Sequence, residues 1–174
     1  MPPWWLPGEF EVPIELHRID DRLIHGQVVV GWGQPLELRF LVLVDDEVAS
    51  SEWEQELYRM GVPPDMRVEF VTVAQAIEKY SSFASDPTPG MLLTGDIDTM
   101  ARLCSAIPAL RRVNLGGVHH RAGRAQKLRY IFLTRDEEAE LRAMADRGVE
   151  ISAQDVPAAR VVSLDAILEG EAIA

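Results

Sequence analysis

Residues 39–61 read RFLVLVDDEVASSEWEQELYRMG, and they contain a predicted strand followed at once by a predicted helix. Every residue of Phe40–Val44 is apolar, which is typical of a strand that is buried on both faces. The helix is predicted to begin after Ser51, with Glu54 completing a capping box, and to end at Gly61. This stretch therefore predicts one β–α unit of a parallel sheet.

The same alternation of short apolar runs and longer helical patterns continues along the chain. Three further helices have a polar cap residue, Thr72, Asp96 or Thr134, and a last short helix is predicted at Leu164–Glu169 after Pro157. The pattern predicts a single-domain, doubly wound α/β fold, with a mostly parallel sheet of about six or seven strands and helices on both faces. The strand candidates are Ile14–Ile19, Arg39–Val44, Arg67–Val71, Met91–Thr94, Arg112–Leu115, Tyr130–Thr134 and Val149–Ala153.

The composition limits the classes of function. The chain has 174 residues, of which 47% are hydrophobic, and this is enough for one domain with an adequate core. The formal net charge of −11 leaves no basic surplus for nucleic acid or for an anionic membrane surface, so phosphate would have to be bound by local arginines. The apolar runs are far shorter than the roughly 20 residues that span a bilayer, and the first residues lack the features of a secretory signal. We therefore expect a soluble protein.

The beginning of the chain is interpreted separately from the domain. Residues 1–12, which contain Trp4 and Trp5, form a predicted N-terminal extension that is either disordered or packed on a neighbouring chain, which leaves a homo-oligomer possible. The domain is expected to span residues 13–174. Cys104 is the only cysteine, and we expect it to fill the core on a helix in a reducing compartment.

The candidate functional loops follow from the predicted fold. In doubly wound sheets, ligands bind outside the carboxyl ends of the strands, where the strand order reverses. The loops at this edge are Asp20–His25, Thr94–Asp96 and Asn114–Arg124. The first is the most highly charged, because residues 18–27 read RIDDRLIHGQ and place two arginines, two aspartates and one histidine within eight positions.

His25 is the predicted catalytic residue of this loop. A neutral imidazole is nucleophilic, so it can accept a phosphoryl group and pass it on. Its predicted place between the first strand and the first helix offers free backbone N–H groups to a phosphate. Arg18 and Arg22 supply guanidinium groups that match phosphate oxygens. Gly26 leaves room for the close approach of a partner or a sugar.

Further residues are predicted to support the same site. Asp20 and Asp21 are expected to orient an arginine or a ring N–H, because a free carboxylate would repel phosphate, and Gln27 is a further supporting residue. The neighbouring loops would add a hydroxyl, a backbone nest and guanidinium groups. The alternatives to phosphate binding are that the residues at 94–96 only cap the following helix and that the arginines of the loop 114–124 are simply solvated. These predicted phosphate contacts are Thr94, Gly116, Gly117, Arg121 and Arg124.

The remaining histidines and two tryptophans are predicted to be structural. His17 lies within the first strand. His119 and His120 are adjacent, and neighbouring residues of a strand point to opposite faces, so we expect no shared metal ion. Trp32 and Trp53 fall at helical core spacing and are predicted to pack in the interior.

Residues 18–28, RIDDRLIHGQV, resemble the phosphorylation-site signature of one protein family. This family is the IIB components of the mannose/fructose/sorbose type in the bacterial phosphoenolpyruvate-dependent sugar phosphotransferase system. The resemblance extends over about residues 14–168. It departs from the family in the His- and Arg-rich residues 117–124 and in the N-terminal extension. The other matching segments are DDEVA at 45–49, MGVPP at 60–64, NLGG at 114–117 and GVEI at 148–151.

The resemblance implies an enzyme, a protein-N(pi)-phosphohistidine–sugar phosphotransferase, in which His25 is phosphorylated on Nδ1 and Arg18 and Arg22 stabilise the phosphate. It implies a IIA protein as phosphoryl donor, a membrane IIC/IID permease as partner, a sugar as substrate, and neither metal nor cofactor. The protein would be cytoplasmic and peripherally associated with the membrane through IIC/IID.

Two other functions remain open from the sequence. The first is a regulatory phosphocarrier of an incomplete phosphotransferase system without its own sugar transport. The second is a non-enzymatic module that binds a nucleotide or another anion. The second is disfavoured because the chain contains no Gly-x-Gly-x-x-Gly or Walker-type loop.

Overall fold

A computed structural model of the chain describes residues 14–170. The strands are β1 Leu16–Ile19, β2 Phe40–Val44, β3 Arg67–Val71, β4 Gly90–Thr94, β5 Arg112–Leu115, β6 Ala125–Leu128, β7 Ile131–Leu133, β8 Glu150–Ala153 and β9 Val162–Ser163. The main sheet has seven strands in the order β3-β2-β4-β1-β5-β8-β9, and all neighbours are parallel except β9, which runs antiparallel to β8. A separate antiparallel hairpin is formed by β6 and β7. The predicted doubly wound, mostly parallel sheet is therefore confirmed.

Helices cover both faces of the main sheet, as predicted. The helices are the π-helix Gln27–Trp32, α1 Asp46–Ala49, α2 Glu52–Met60, α3 Val73–Ala84, α4 Ile97–Ala106, α5 Arg135–Asp146 and α6 Leu164–Glu169. Leu41 and Leu43 of β2 pack with the π-helix, α1 and α2, whereas Val42 and Val44 pack in the cluster that contains α3 to α6. This alternation is the reason why β2 is apolar at every position.

Side-chain caps begin the helices where the sequence predicted them. Ser51 accepts a hydrogen bond from Glu54 N, but the Glu54 side chain makes no return bond to the Ser51 backbone, so the predicted capping box is only half formed. Thr134 accepts a hydrogen bond from Glu137 N. Thr72 and Asp96 cap α3 and α4 in the same manner. Each cap satisfies an N–H group that the helix itself leaves unpaired.

The structure corrects some of the sequence-based predictions. The strand predicted at Tyr130–Thr134 exists as β7, but it belongs to the hairpin and not to the main sheet. The prediction that Trp53 packs in the interior is wrong, because this residue is 71% exposed on α2, whereas Trp32 is buried as predicted. Cys104 lies on α4 and packs against the core, as expected, although it is only partly buried. The predicted N-terminal extension lies outside the described residues.

The strand order reverses between β1 and β5, which marks the binding crevice expected at the carboxyl ends of these strands. The connection from β1 leaves through the π-helix on one face of the sheet, whereas the connection from the neighbouring β5 leads to α5 on the other face. Such a reversal is where doubly wound folds bind their ligands. Within residues 14–170, no helix is long and apolar enough to cross a bilayer.

Candidate functional site

Asp20 is the centre of the candidate site. It directly follows β1, its side chain is fully buried, and three side chains surround its carboxylate. Arg18 Nη2 lies 3.2 Å from Oδ2, Arg22 Nε lies 3.1 Å from Oδ1, and His25 Nε2 lies 3.9 Å from Oδ2. Burial alone would raise the pKa of Asp20, but the hydrogen bond from Arg22 and the positive charges around the carboxylate outweigh it. The pKa of Asp20 therefore lies below its usual value, and the group is ionised at neutral pH.

Arg18 lies entirely inside the protein. Its Nη1 donates to Asn114 Oδ1 and, at 2.9 Å, to the carbonyl oxygen of Gln154. Its Nη2 donates to Asp20 Oδ2 and to the carbonyl oxygen of Asp155, both at 3.2 Å. These acceptors are all protein groups, and the side chain has no exposed surface. In this arrangement Arg18 secures Asp20 and does not face an incoming phosphate.

Gly116 and Trp32 complete the environment of Arg18. A Cβ on Gly116 would collide with the guanidinium group, so this glycine provides the space that Arg18 occupies. The Gly116 N–H donates to Ile19 O at 2.7 Å and is therefore not directed towards a ligand, unlike in the predicted backbone nest. The Trp32 ring lies 4.9 Å from Arg18 Cζ, where it makes a cation–π contact.

Arg22 differs from Arg18, because its side chain is 38% exposed. Its Nε and Nη2 donate to the two oxygens of Asp20, and Nη2 also donates to Gln27 Oε1. Within the described part of the chain, no acceptor contacts Nη1. Arg22 is thus held on one edge and offers the N–H groups of the other edge to a ligand.

His25 lies in the same loop, immediately before the π-helix, and its side chain is 21% exposed. Its Nδ1 lies 2.9 Å from the carbonyl oxygen of Leu23. A carbonyl can only accept, so this hydrogen bond requires the proton on Nδ1. Leu23 has a φ of 58°, and this left-handed conformation is costly for a residue with a branched side chain. The loop is therefore held in an unusual conformation at the histidine.

Gln27 links the loop Asp20–His25 to the loop that follows β8. Its Nε2 donates to Asp155 Oδ1 at 2.9 Å, and its Oε1 accepts from Arg22. The neighbouring Gly26 faces open space, since a Cβ there would meet no atom within 4 Å. The surface beside the predicted catalytic histidine is thus unobstructed at Gly26.

The predicted residues of the other two loops have different positions. A Cβ on Gly117 would lie 2.7 Å from His119 Cε1, 3.1 Å from Asp20 Oδ1 and 3.3 Å from Arg22 Nε, so this glycine does border the site. Thr94 is fully buried, and its hydroxyl donates to the carbonyl oxygen of Asp96 at 3.3 Å. The structure therefore brings Gly117 to the site and leaves Thr94 beneath it.

Asp21 and His119 form a second pair beside Gly117. His119 donates to the Asp21 carboxylate from its backbone N at 2.7 Å and from Nδ1 at 2.6 Å. Arg124, which was predicted to reach over the phosphate, donates instead to His119 O and to Glu137 Oε1. Asp21 thus orients a ring N–H, as expected for a supporting carboxylate, although the ring is that of His119.

Sequence reasoning missed the contribution of the loop after β8. Gln154 and Asp155 supply backbone carbonyls to Arg18, and the Asp155 carboxylate supports Gln27. A signal was available, because these residues directly follow the strand predicted at Val149–Ala153 and therefore lie at the same edge of a parallel sheet. Among residues 14–170, no group of three or more His, Cys, Asp and Glu side chains is placed to hold a metal ion.

Comparison with known sequences assigns the chain to a family. The family described as PTS system sorbose subfamily IIB component, where PTS is the phosphotransferase system, matches residues 14–173. The chain is 32% identical over 147 residues to the N-acetylgalactosamine-specific phosphotransferase enzyme IIB component 1 of Escherichia coli K12, a match that covers 83% of this chain and 91% of that protein. It is 33% identical over 141 residues to the sorbose-specific EIIB component of Klebsiella pneumoniae, covering 79% of this chain and 84% of the relative.

Solved structures agree with the sequence matches. The crystal structure of manxB from Thermoanaerobacter tengcongensis has a TM-score of 0.81 and 30% sequence identity, covering 89% of this chain and 94% of that one. The IIBSor domain of the sorbose permease from Klebsiella pneumoniae has a TM-score of 0.81 and 27% identity, covering 90% and 97%. These matches confirm the family predicted from the sequence: the chain belongs to the sorbose subfamily of IIB components of the phosphotransferase system.

Proposed function

We propose that this protein carries a phosphoryl group on His25, which it takes from a IIA protein and delivers to a sugar during uptake. One observation supports the proposal above the others. His25 and Arg22 are both partly exposed at the carboxyl end of β1, where the buried carboxylate of Asp20 accepts two hydrogen bonds from the Arg22 side chain and lies 3.9 Å from His25 Nε2. This arrangement combines a nucleophile with a guanidinium group that can receive the phosphate charge.

We infer that Nδ1 of His25 is the atom that receives the phosphoryl group. The ionised Asp20 lies on the Nε2 side of the ring and would stabilise a proton on Nε2, which leaves the lone pair on Nδ1. In the resting structure Nδ1 donates its proton to Leu23 O, so before the reaction this hydrogen bond must break, the Nδ1 proton must pass to water, and Nε2 must take up a proton in its place. The Nδ1 lone pair then attacks phosphorus, the bond between phosphorus and the donor atom breaks, and the donor keeps that bonding pair.

Delivery to the sugar follows the same chemistry in the opposite direction. A sugar hydroxyl oxygen attacks phosphorus, the N–P bond breaks, and the bonding pair returns to Nδ1 of His25, while the hydroxyl proton passes to that nitrogen or to water. During both steps the free Nη1 edge of Arg22 would stabilise the charge on the equatorial phosphoryl oxygens. Arg18 would contribute indirectly, because its hydrogen bonds fix the carboxylate that aligns Arg22.

The partners follow from the proposed reaction. The donor would be a IIA protein, and the acceptor a sugar held by a membrane IIC/IID permease, so the protein would work in the cytoplasm at the membrane surface. One relative, the mannose-specific EIIAB component of Escherichia coli K12, is 30% identical over 150 residues, and this chain covers 46% of its length. The named relatives suggest a sugar of the mannose, sorbose or N-acetylgalactosamine type.

Incubation with a phosphorylated IIA protein tests the proposal. We expect intact-mass spectrometry to show the addition of one phosphoryl group, stable in base and labile in acid, and its complete loss in His25→Ala. His120→Ala is the matched control, since it removes an exposed imidazole that packs against Phe132 outside the crevice. A wild-type protein that gains no phosphate, or a His25→Ala variant that still gains it, would exclude the proposed function.

A further inference from the structure

The loop after β8 contains a carboxylate that the proposed reaction does not use and that contacts the site from the opposite side. Asp155 is half-buried, and its Oδ1 accepts a hydrogen bond from Gln27 Nε2 at 2.9 Å. Its backbone carbonyl separately accepts from Trp32 Nε1 at 3.0 Å and from Arg18 Nη2 at 3.2 Å. The side chain and the main chain of Asp155 therefore hold different parts of the site.

The Asp155 carboxylate determines which end of the Gln27 amide faces Arg22. An ionised carboxylate only accepts hydrogen bonds, so the NH₂ group of Gln27 must face Asp155. The amide oxygen is then directed at Arg22 Nη2, which donates to it. Together with Asp20, this oxygen fixes the plane of the Arg22 guanidinium and leaves its Nη1 edge free.

We propose that Asp155 is a positioning residue for phosphoryl transfer, and that it acts on Arg22 through Gln27. The proposal rests on the function proposed above and identifies what holds its phosphate-binding arginine. Asp155 touches neither the phosphoryl group nor His25 in this scheme. Its contribution is to keep the guanidinium in one orientation, and small misalignments of such groups reduce rates strongly.

The direction in which the transfer rate changes when Asp155 is replaced distinguishes a positioning role from a simple electrostatic one. Asp155 carries a negative charge close to a site that would receive a phosphate dianion. If only this charge mattered, its removal would favour phosphate and accelerate transfer. A positioning role predicts the opposite, because loss of the acceptor frees the Gln27 amide and with it Arg22.

Two substitutions distinguish the acceptor from the charge. Asp155→Ala removes both, whereas Asp155→Asn removes the charge and keeps an amide oxygen that can accept from Gln27. Both variants retain the backbone carbonyl that holds Arg18 and Trp32, so the fold should remain intact, and thermal unfolding would verify this. Asp146→Ala, which removes an exposed carboxylate at the end of α5, is the matched control.

The measurement is the rate of phosphoryl uptake from a phosphorylated IIA protein over a range of donor concentrations. We expect Asp155→Ala to lower kcat and kcat/KM together by about tenfold, as for an interaction made in the transition state. Asp155→Asn should stay within about threefold of wild type, and Asp146→Ala should match wild type. In a Gln27→Ala background, Asp155→Ala should cause no further loss, because the pathway through the amide is already broken.

Failure of the positioning role and failure of the proposed function would give different results. A rate in Asp155→Ala that equals or exceeds wild type would overturn the positioning role, as would an undiminished loss in the Gln27→Ala background. A loss in Asp155→Asn as large as that in Asp155→Ala would also overturn it, since the retained amide oxygen, which can still accept from Gln27, would then not sustain the rate. If the wild-type protein accepted no phosphate at all, the proposed function itself would fail, which is a different result from any of these.

Discussion

Strand β1 and the loop that follows it each carry one histidine and one arginine, and the two regions use them differently. In β1, His17 and Arg18 are buried and bonded to protein groups, the histidine to the Tyr80 hydroxyl at 2.9 Å. In the loop, Arg22 and His25 keep exposed surface and, for Arg22, an unoccupied donor edge. Burial therefore decides which of these residues stabilises the fold and which remains available for chemistry.

Asp20 connects the two regions. Its carboxylate accepts hydrogen bonds from Arg18 below and from Arg22 above, so a single buried charge is shared by a structural arginine and a candidate functional one. The strand fixes the carboxylate, and the carboxylate fixes the loop. Substitutions in the strand should therefore change mainly the stability of the fold, and substitutions in the loop should change mainly phosphoryl transfer.

The largest expected effect is on stability when the buried arginine is removed. Arg18→Ala would leave Asp20 with a buried charge and leave Asn114 and two carbonyls without their donor. Loss of one partner of a buried pair typically costs about 3–5 kcal/mol, and we expect a loss of this size in urea unfolding. Arg22→Ala should cost about 1 kcal/mol or less, because the side chain is partly solvated and Asp20 keeps Arg18.

Equal losses of unfolding free energy in Arg18→Ala and Arg22→Ala would contradict this distinction between strand and loop, since both regions would then contribute alike to the stability of the fold. A small loss for Arg18→Ala would mean that Asp20 can be satisfied without its buried partner. Either result would require a different account of why Arg18 is enclosed.

The fold was predictable because its signals are local. A strand buried on both faces is a continuous apolar run, as in Phe40–Val44, and each cap residue lies within one turn of the helix that it begins. The loop Asp20–His25 was predictable for the same reason, since its charge and its histidine are adjacent in sequence. Periodicity did not reveal that Trp53 is exposed, because a helical stripe does not state whether another element covers it.

The inner part of the site was not predictable because it is assembled over long distances in sequence. Arg18 contacts residues 96 and 136 positions away, Asn114 and Gln154, and these contacts exist only once β5 and β8 lie beside β1. A pattern of arginines beside a histidine indicates a phosphate site, yet it cannot say which guanidinium is already occupied. Only the pairing of the strands shows that Arg18 is enclosed, whereas Arg22 is 38% exposed and keeps its Nη1 edge open.

The second prediction concerns the buried histidine of the strand. Burial lowers the pKa of His17 to about 4, although a backbone hydrogen bond to Arg112 opposes the shift. The unfolded chain would bind a proton at His17 below about pH 6.5, whereas the folded chain resists it until about pH 4. Stability from this residue is therefore complete above pH 6.5 and lost as the pH falls to 4, by about 3 kcal/mol.

Urea unfolding of wild type and His17→Phe across this pH range measures the effect. The difference in the pH slope of the unfolding free energy should be assigned to His17, since phenylalanine does not titrate. Tyr80→Phe should keep the wild-type slope, because burial and not the tyrosine hydroxyl is the main cause of the shift. An unchanged slope in His17→Phe would show that the imidazole is not held neutral in the folded state.

The third prediction moves from the strand to the loop, where the effect should appear in transfer and not in stability. Arg22→Ala removes the guanidinium that would face the phosphoryl oxygens, and loss of one such donor commonly lowers a rate by about a hundredfold. Single-turnover phosphorylation by a IIA protein would measure this. Arg22→Lys should recover only part of the rate, because an ammonium group retains the charge but cannot both pair with Asp20 through two nitrogens and keep a free edge. If Arg22→Lys transferred phosphate as fast as wild type, charge alone would suffice, and the fixed orientation that the buried strand imposes on the loop through Asp20 would have no catalytic consequence.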